Sequence, residues 1–213
     1  MKNIADIRQE YTKSGLRESE LPCDPLSLFS RWLQEAIDAN VEEPTAIIVG
    51  TVSPEGRPST RTVLLKGLHD GKFIFYTNYE SRKGRQLAQN PYISLSFVWH
   101  ELERQVHIEG TAAKVSPEES DEYFQKRPYK SRIGARISPQ SQPIASRMQL
   151  IRAFVKEAAR WLGKEVERPD NWGGYAVTPT RMEFWQGRPN RLHDRFLYTL
   201  KTDGKWEINR LSP

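Results

Sequence analysis

Short β-strand patterns separated by turn signals fill the middle of the chain and limit its fold more than any other feature. Apolar and polar residues alternate in these segments, and Asp70-Gly71 is a sequence typical of a tight turn. Consecutive strands joined by short turns pair antiparallel. The pattern therefore predicts an antiparallel meander of three strands, Thr45 to Ser53, Pro58 to Lys66 and Lys72 to Thr77. Two further strands are predicted at Tyr92 to Trp99 and Arg104 to Val115.

Helical patterns and further strands surround this region. Each predicted helix begins at a capping residue and carries apolar residues at helical spacing. The helices are predicted from Asp24-Pro25 to about Asn40, and over Arg82 to Gln89, Ser116 to about Arg127 and Ser146 to Leu162. The later strands are predicted at Gly174 to Thr178, Arg181 to Gln186, Arg191 to Lys201 and Trp206 to Leu211. We predict a mainly β, α+β chain whose strands close into a small barrel, because closure removes exposed strand edges.

Length and composition limit the broad class of protein. The 213 residues suit one domain. We expect a flexible N-terminal arm over residues 1–22 and a single domain over residues 23–213. Cys23 is the only cysteine, which excludes an intrachain disulfide and a cysteine-built metal site. The first thirty residues lack a hydrophobic signal core and no aliphatic run could span a bilayer, so a cytoplasmic protein is expected.

The charge balance leaves several partners open. The net charge is +5 and the sequence pI is about 9.3, with six tryptophans among the aromatic residues. Nucleic acid, anionic lipid and small phosphorylated ligands are all compatible with this composition. A barrel that binds single-stranded nucleic acid would need a continuous basic groove.

The segment from Glu183 to Phe196 contains three arginines, one histidine and three aromatic rings. In an extended strand, Arg191, His193 and Arg195 would share one face. Adjacent cationic groups repel one another unless an anion lies among them, so the pattern predicts a phosphate or carboxylate ligand, with Trp185 free to stack on a planar group. The alternative is a solvated strand whose arginines pair with neighbouring carboxylates.

Two earlier segments also present cations. Ser81 is predicted to cap a helix, which places Arg82 and Lys83 in the first turn, where the helix dipole disfavours positive charge. A bound phosphate would offset this, whereas the alternative is a frayed surface helix. Arg61 and Lys66 would lie on opposite faces of a regular strand, so both can reach one ligand only if the strand bulges or ends near Lys66.

Motifs for other chemistries are missing. The sequence has no GxGxxG, phosphate-binding GxxxxGK[ST], HExxH or serine nucleophile elbow, and its four histidines lack metal-ligand spacing. We therefore predict no metal site. Cationic and aromatic sites without a protein-borne nucleophile favour an organic cofactor that carries the difficult chemistry.

Five motifs together resemble the pyridoxine/pyridoxamine 5'-phosphate oxidase family over nearly the whole chain. They are Arg61-Thr-Val-Leu-Leu-Lys66, Tyr76-Thr-Asn-x-x-Ser-Arg-Lys83, Ser131-x-Ile-Gly-Ala135, Gln140-Ser141, and the run from Glu183 to Phe196 with the Arg-Leu-Ser-Pro terminus. The resemblance implies an FMN-dependent oxidase with a split β-barrel of the FMN-binding type and peripheral helices. It further implies a homodimer with active sites at the subunit interface, and no nucleic-acid or membrane partner.

The resemblance also assigns residues to FMN, to the substrate and to catalysis. FMN would be bound by Arg61, Thr62, Val63, Leu64, Leu65, Lys66, Tyr76, Thr77, Arg82, Lys83, Gln105, Gln140, Ser141, Trp185 and Arg195. A small phosphorylated pyridine would be bound by Arg8, Tyr11, Lys66, Tyr123, Arg127, Ser131, Arg191 and His193. Arg191 and His193 would be the catalytic pair over the pyridine ring, and Arg8 and Tyr11 would close over it as a lid.

The implied reaction converts pyridoxine or pyridoxamine 5'-phosphate to pyridoxal 5'-phosphate, with O2 as acceptor, H2O2 as product and ammonia released from the amine. The alternative is a split-barrel flavin-binding protein that acts on a different substrate. Such a protein would keep the phosphate site of Arg82 and Lys83. It would have no use for Tyr123, Arg127, Ser131, Arg191 and His193.

Overall fold

The computed structural model describes residues 3–4, 10–13 and 15–213. Five α-helices lie in these residues: α1 (Pro25–Asp38), α2 (Arg82–Gln89), α3 (Pro117–Lys126), α4 (Tyr129–Ile137) and α5 (Arg147–Arg160). The same residues form nine strands: β1 (Ala46–Val52), β2 (Pro58–Leu64), β3 (Gly67–His69), β4 (Lys72–Asn78), β5 (Tyr92–Trp99), β6 (Arg104–Lys114), β7 (Trp172–Gln186), β8 (Asp194–Leu200) and β9 (Trp206–Arg210).

One sheet contains these nine strands. The order is β2-β1-β5-β6-β7-β4-β3, while β8 pairs with β7 and with β9. The pairs β3–β4, β4–β7, β7–β8 and β8–β9 are antiparallel. The prediction of a simple meander is wrong, because β4 pairs with β3 and with the C-terminal strand β7. Alternation within a strand does not encode such a long-range choice of partner.

The chain forms two compact units, which we describe separately. The first contains the described residues up to Val49 together with Ser94–Gly110 and Pro179–Pro213. Its core is aromatic, with Phe29 and Phe97 at 4.8 Å and Trp32 and Phe184 at 5.3 Å between ring centroids. Edge-to-face pairs of this kind add stability beyond the apolar area they bury.

Helix α1 of this first unit begins where the capping signal predicts. The Asp24 carboxylate accepts the Leu26 and Ser27 N–H groups at 3.1 Å each, and Pro25 occupies the first helical position. The predicted apolar stripe is buried at Leu28, Phe29, Trp32 and Ala36. It ends earlier than predicted, since Ile37 is 44% exposed.

The second unit contains Gly50–Ile93 and Thr111–Thr178. A small core of this unit packs beneath α3, α4 and α5; it is formed by Phe124, Ile133, Trp161, Val166 and Trp172. Helix α4 has no counterpart in the sequence prediction. Pro128 ends α3 as expected, but it also occupies the N-cap of α4, because proline suits the start of a helix as well as the end of another.

A tight turn joins β3 to β4, and a short break separates β3 from β2. Asp70 and Gly71 both have positive φ, 51° and 73°, which suits the two-residue turn that joins His69 to its partner Lys72. Strand β2 ends at Leu64, and the short β3 begins at Gly67. The break covers Leu65 and Lys66, so β2 ends two residues before the predicted end of this strand.

The C-terminal strands differ from the prediction in two places. Residues 172–186 form one strand instead of the two predicted strands. Thr180 and Arg181 are both exposed, so the alternation of buried and exposed residues shifts by one position there. This shift resembles a turn in the sequence. The next strand begins at Asp194, not at Arg191. Arg191 lies in a 3-10 turn with φ of 61°, so it does not share an extended face with His193 and Arg195.

Candidate functional site

A cavity of about 470 Å³ in the second unit brings together residues from β2, β4, α2, α3 and α4. We call it the cationic pocket. It is lined by Thr62, Val63, Leu64, Lys66, Tyr76, Thr77, Lys83, Tyr123, Arg127, Pro128, Ser131, Gln140 and Trp172. Three lining side chains are basic and, in the part of the chain that the structure describes, none is acidic. The pocket therefore suits anionic ligands.

Lys83 is buried in the first turn of α2, with 7% of its surface exposed. Its Nζ donates to Thr77 Oγ1 at 3.0 Å and to Gln140 Oε1 at 3.2 Å, which are both neutral oxygens. Burial and the nearby Arg61 guanidinium lower the pKa of Lys83 to about 8. A buried ammonium that faces neutral acceptors and another cation gains charge balance when an anion binds.

Arg61 lies on β2 beside this lysine. Its Nη1 donates to Thr51 Oγ1 at 2.5 Å and its Nη2 to Ser59 Oγ at 2.7 Å. Burial and the charge of Arg82 lower the pKa of Arg61. Arg61 therefore lies near enough to be repelled by both Arg82 and Lys83. Arg61, Leu65, Arg82 and Ser141 do not line the cavity itself.

The local cause of this arrangement is the start of α2. Ser81 caps the helix through an Oγ that accepts the Gly84 N–H at 3.3 Å, as predicted. Gly84 permits a close approach to the preceding turn, since a Cβ there would lie 2.1 Å from the Tyr79 carbonyl oxygen. The helix therefore begins directly after β4 and places Lys83 beneath Thr77.

The other side of the cationic pocket carries Lys66, Tyr123, Arg127 and Ser131. Tyr123 stacks on Tyr76 with ring centroids 3.8 Å apart, and the Arg127 guanidinium lies 4.5 Å from the Trp172 ring centroid. Arg127 Nη1 is buried without a hydrogen-bond partner among the described residues. Burial lowers the pKa of Arg127, so a bound anion would stabilise this side chain.

Sequence reasoning missed Trp172 and Pro128 as lining residues. Trp172 stacks within 5.5 Å of Tyr76 and closes the wall behind Arg127. Burial, with the Glu119 carboxylate and Tyr123 nearby, raises the pKa of Tyr76 well above its ordinary value, so the phenol stays protonated at neutral pH. Trp172 lies two residues before the predicted strand that begins at Gly174, so no predicted element includes it.

A second group of site residues lies in the first unit, and we call it the aromatic group. Tyr11, Trp185 and His193 contact one another: the centroid distances are 5.4 Å for Tyr11–Trp185, 5.4 Å for Tyr11–His193 and 4.7 Å for Trp185–His193. Gln105 borders a small cavity of about 20 Å³ together with Tyr11 and Trp185. Arg8, the other residue assigned to the arm, lies outside the described residues.

His193 is held as a neutral imidazole. Its Nδ1 accepts the Arg188 N–H at 3.1 Å, so the ring proton of this form is on Nε2. Burial and the charges of Arg191 and Arg195 lower the pKa of His193. The imidazole can therefore offer an N–H donor through Nε2 near neutral pH.

Arg191 and Arg195 of this segment differ in their surroundings. Arg195 pairs with Glu183 at 2.8 Å and donates to the Ser212 carbonyl at 2.8 Å. This matches the alternative in which a carboxylate neutralises an arginine of the segment. Arg191 is exposed in its 3-10 turn, and the predicted triple cation face is absent because the backbone reverses there.

Neither a metal centre nor a membrane span is found in residues 3–4, 10–13 and 15–213. No cluster of three or more histidine, cysteine, aspartate or glutamate side chains there could hold a metal ion. None of the helices in these ranges has the length and apolar character needed to cross a bilayer.

Two family models match the chain. The model for pyridoxamine 5'-phosphate oxidase matches residues 33–164, which is more than half of the sequence. The chain belongs to the pyridoxamine 5'-phosphate oxidase family. The model for the pyridoxine 5'-phosphate oxidase C-terminal dimerisation region matches residues 172–213, which contain Trp185, Arg191, His193 and Arg195.

Curated relatives agree with membership of this oxidase family. Proteins named pyridoxine/pyridoxamine 5'-phosphate oxidase are 77% identical over 211 residues in Bacteroides fragilis and 58% identical over 211 residues in Porphyromonas gingivalis. The matches cover 99% of this chain in both cases, and 90% and 99% of the respective relatives. As a member of this oxidase family, the chain is an oxidoreductase.

Solved structures of related proteins show the fold. PhzG from Burkholderia lata, in complex with tetrahydrophenazine-1-carboxylic acid, is 32% identical, with a TM-score of 0.87 over 92% of this chain and 95% of PhzG. An FMN-binding protein from Nostoc punctiforme, related to pyridoxamine 5'-phosphate oxidase, is 18% identical, with a TM-score of 0.74 over 91% and 100% of the two chains. The predicted split-barrel fold with peripheral helices is confirmed.

Proposed function

We propose that this protein uses FMN to oxidise pyridoxine 5'-phosphate and pyridoxamine 5'-phosphate with O2. The products are pyridoxal 5'-phosphate, H2O2 and, from the amine, ammonia, as required in vitamin B6 cofactor synthesis. The observation that carries the proposal is the cationic pocket, where Lys83 and Arg127 are desolvated and, among the residues that the structure describes, no carboxylate lines the cavity. Two phosphorylated ligands, cofactor and substrate, would supply the missing negative charge.

The residues that line the pocket, with Arg61, Arg82 and Ser141 of the same unit, fit FMN. Arg61, Arg82 and Lys83, with Gln140 and Ser141, would hold its phosphate, and Lys83 is a donor whose lowered pKa a phosphate would restore. The chain from Arg61 to Lys66, with Tyr76 and Thr77, would border the flavin. When bound, FMN supplies the hydride acceptor and the route by which O2 receives the electrons.

The substrate phosphate would bind at Lys66, Tyr123, Arg127 and Ser131. These four side chains line one cavity, and Arg127 Nη1 is a buried donor without a hydrogen-bond partner in the part of the chain that the structure describes. A planar guanidinium and a lysine ammonium suit a phosphate better than a carboxylate of lower charge. Their role is to fix the substrate by the group farthest from the reacting carbon.

The aromatic group would complete the site. Trp185 and Arg195, with Gln105, would contact the flavin, and Arg191 and His193 would lie over the pyridine ring. His193 would offer its Nε2–H as a donor, since Nδ1 is occupied by the Arg188 N–H. Arg191 would add a permanent positive charge that His193 lacks at neutral pH.

We further propose a homodimer in which the cationic pocket of one protomer meets the aromatic group of its partner. The support is that Trp185, Arg191, His193 and Arg195 all lie in the segment matched by the dimerisation region. Residues 1–22 would act as an arm on the domain formed by residues 23–213, with Tyr11 closing over the substrate.

The test is to purify the protein, load it with FMN, and supply pyridoxine 5'-phosphate and O2 while pyridoxal 5'-phosphate and H2O2 are measured. We expect turnover with pyridoxine 5'-phosphate and little with unphosphorylated pyridoxine, because the phosphate contacts would be lost. A protein that neither binds FMN nor gains activity with it would contradict the proposal.

A second candidate function follows from the solved relative bound to tetrahydrophenazine-1-carboxylic acid. The protein would then be a flavin-dependent oxidase of a different, non-phosphorylated substrate. FMN binding without turnover of either phosphorylated pyridine would favour this candidate, and the same assay therefore separates the two.

A further inference from the structure

The Glu103 side chain binds the backbone of Thr12 and Lys13 in the N-terminal arm. The carboxylate accepts the Thr12 N–H through both oxygens, at 3.0 and 2.9 Å, and the Lys13 N–H through Oε2 at 3.0 Å. These bonds join positions about ninety residues apart in the sequence, within the first unit. Hydrogen bonds to an ionised acceptor are stronger than those between neutral groups, and contacts with N–H groups do not depend on the side chains of the arm.

Tyr11, the residue before Thr12, packs against Trp185 and His193. The Tyr11 ring lies edge-on to both Trp185 and His193, and 36% of it is exposed. Gly187 makes room for it, because a Cβ there would lie 2.7 Å from Tyr11 Cδ1 and 3.0 Å from Glu103 Cβ. Tyr11 and Thr12 therefore fit the surface formed by Gly187 and Glu103 in shape as well as in hydrogen bonding.

Glu103 is itself fixed in direction. It ends the 3-10 turn His100–Leu102 with φ of 54°, and its carbonyl oxygen accepts the Gly187 N–H at 2.8 Å and Gln186 Nε2 at 3.2 Å. A non-glycine residue in this left-handed region is uncommon and is kept there by its surroundings. The backbone thus anchors the strand end that carries Trp185, while the side chain reaches the arm.

We propose that Glu103 is a positioning residue, which latches the arm so that Tyr11 covers the His193 and Trp185 face of the site. The inference rests on the proposed function for its effect on turnover, but the latch is a property of the chain alone. Loss of the carboxylate would release Thr12 and Lys13 and leave Tyr11 without a fixed place. Substrate would then bind more weakly, whereas the chemistry after binding would change little.

The first test compares Glu103→Ala and Glu103→Gln with the wild-type protein, all loaded with FMN. We expect the KM for pyridoxine 5'-phosphate to rise about tenfold in Glu103→Ala and less in Glu103→Gln, which keeps one acceptor oxygen, with kcat within about twofold. Glu101→Ala is the matched control, because Glu101 is an exposed carboxylate of the same turn. An unchanged KM in both Glu103 variants overturns the latch.

A double-mutant cycle asks whether Glu103 acts through Tyr11. In a Tyr11→Ala background, Glu103→Ala should add little to KM, since the ring it positions is gone. Fully additive effects would show that Glu103 acts by some other route, and would overturn the proposal.

Trypsin cleavage after Lys13, in protein without substrate, tests the latch independently of activity. The bond should be cut about tenfold faster in Glu103→Ala than in the wild type or Glu101→Ala, because cleavage follows the released population. Equal cleavage rates in all three overturn the latch even if the oxidase activity is confirmed. Faster cleavage in a protein that does not oxidise pyridoxine 5'-phosphate supports the latch and rejects the proposed function alone.

Discussion

The buried amine of Lys83 shows most directly that the cationic pocket suits an anion. Its Nζ contacts neutral oxygens of Thr77 and Gln140, and burial with Arg61 lowers its pKa to about 8. A lysine beside a negatively charged group would have a raised pKa instead. The protein without ligand thus holds Lys83 in a state that a phosphate would relieve.

This pKa predicts how FMN affinity depends on pH. A bound phosphate raises the pKa of Lys83, so binding takes up a proton between pH 8 and the higher value of the complex. The phosphate is already a dianion in this range. The FMN dissociation constant should therefore rise above pH 8, by up to about tenfold per pH unit. Fluorescence titration from pH 7 to 10 measures it.

Lys83→Met should bind FMN weakly and lose most of this pH dependence. Lys156→Met, which removes an exposed lysine of α5, should keep both the affinity and the slope of the wild type. A Lys83→Met protein with an unchanged slope would show that another group titrates.

Arg127 predicts a separable effect on the substrate. Arg127→Ala removes the buried Nη1 donor, which has no partner among the described residues. The KM for pyridoxine 5'-phosphate should therefore rise about 30-fold or more while FMN stays bound, since charged hydrogen bonds contribute about 2 kcal/mol or more. Steady-state kinetics and the flavin spectrum measure the two properties. Lys126→Ala, which removes the neighbouring exposed cation, is the control; an unchanged KM in Arg127→Ala would place the substrate phosphate elsewhere.

Helix α2 depends on how closely it approaches the turn before it. Gly84→Ala would put a Cβ 2.1 Å from the Tyr79 carbonyl oxygen, so the first turn must shift. We expect a loss of about 1 to 3 kcal/mol in the free energy of unfolding together with weaker FMN binding. Thermal unfolding and FMN titration test this.

Gly134→Ala is the matched substitution in α4. A Cβ at Gly134 would meet nothing within 4 Å, so the change should leave FMN binding intact and stabilise the protein by about 0.5 to 1 kcal/mol through helix propensity. Equal effects of the two substitutions would contradict the special role of the α2 start.

Elements with local signals could be predicted from the sequence, whereas others could not. Helix α2 matches its predicted bounds because Ser81 and Asn90-Pro91 mark both ends locally. The turn at Arg191 was missed because a positive φ at a non-glycine residue is imposed by its surroundings. Pairing of β4 with β7 is likewise a tertiary choice. Lys66, Lys83 and Arg127 line one cavity, whereas Arg61 and Arg82 do not, and Trp172 joins the lining only through the fold.

At the scale of the whole molecule, the proposed dimer makes a prediction about mixed subunits. Arg127 belongs to the cationic pocket and Arg191 to the dimerisation segment, so they would serve the same site from different protomers. Arg127→Ala and Arg191→Ala homodimers should each turn over poorly. A heterodimer of the two would contain one site with both substitutions and one intact site.

Refolding an equimolar mixture should therefore restore about a quarter of wild-type activity, because random pairing gives half heterodimers with one intact site each. Arg191→Ala should keep its FMN throughout. A mixture no more active than its parents would mean that both arginines serve a site within one chain.

The proposed function requires a bound flavin that the phosphorylated pyridine substrate reduces. The most direct test is the visible spectrum of the FMN-loaded protein before and after anaerobic addition of pyridoxine 5'-phosphate. We predict loss of the visible absorbance of the oxidised flavin and its return on admission of O2, with one pyridoxal 5'-phosphate formed per flavin. A bound flavin that stays oxidised with both pyridoxine and pyridoxamine 5'-phosphate would contradict the account.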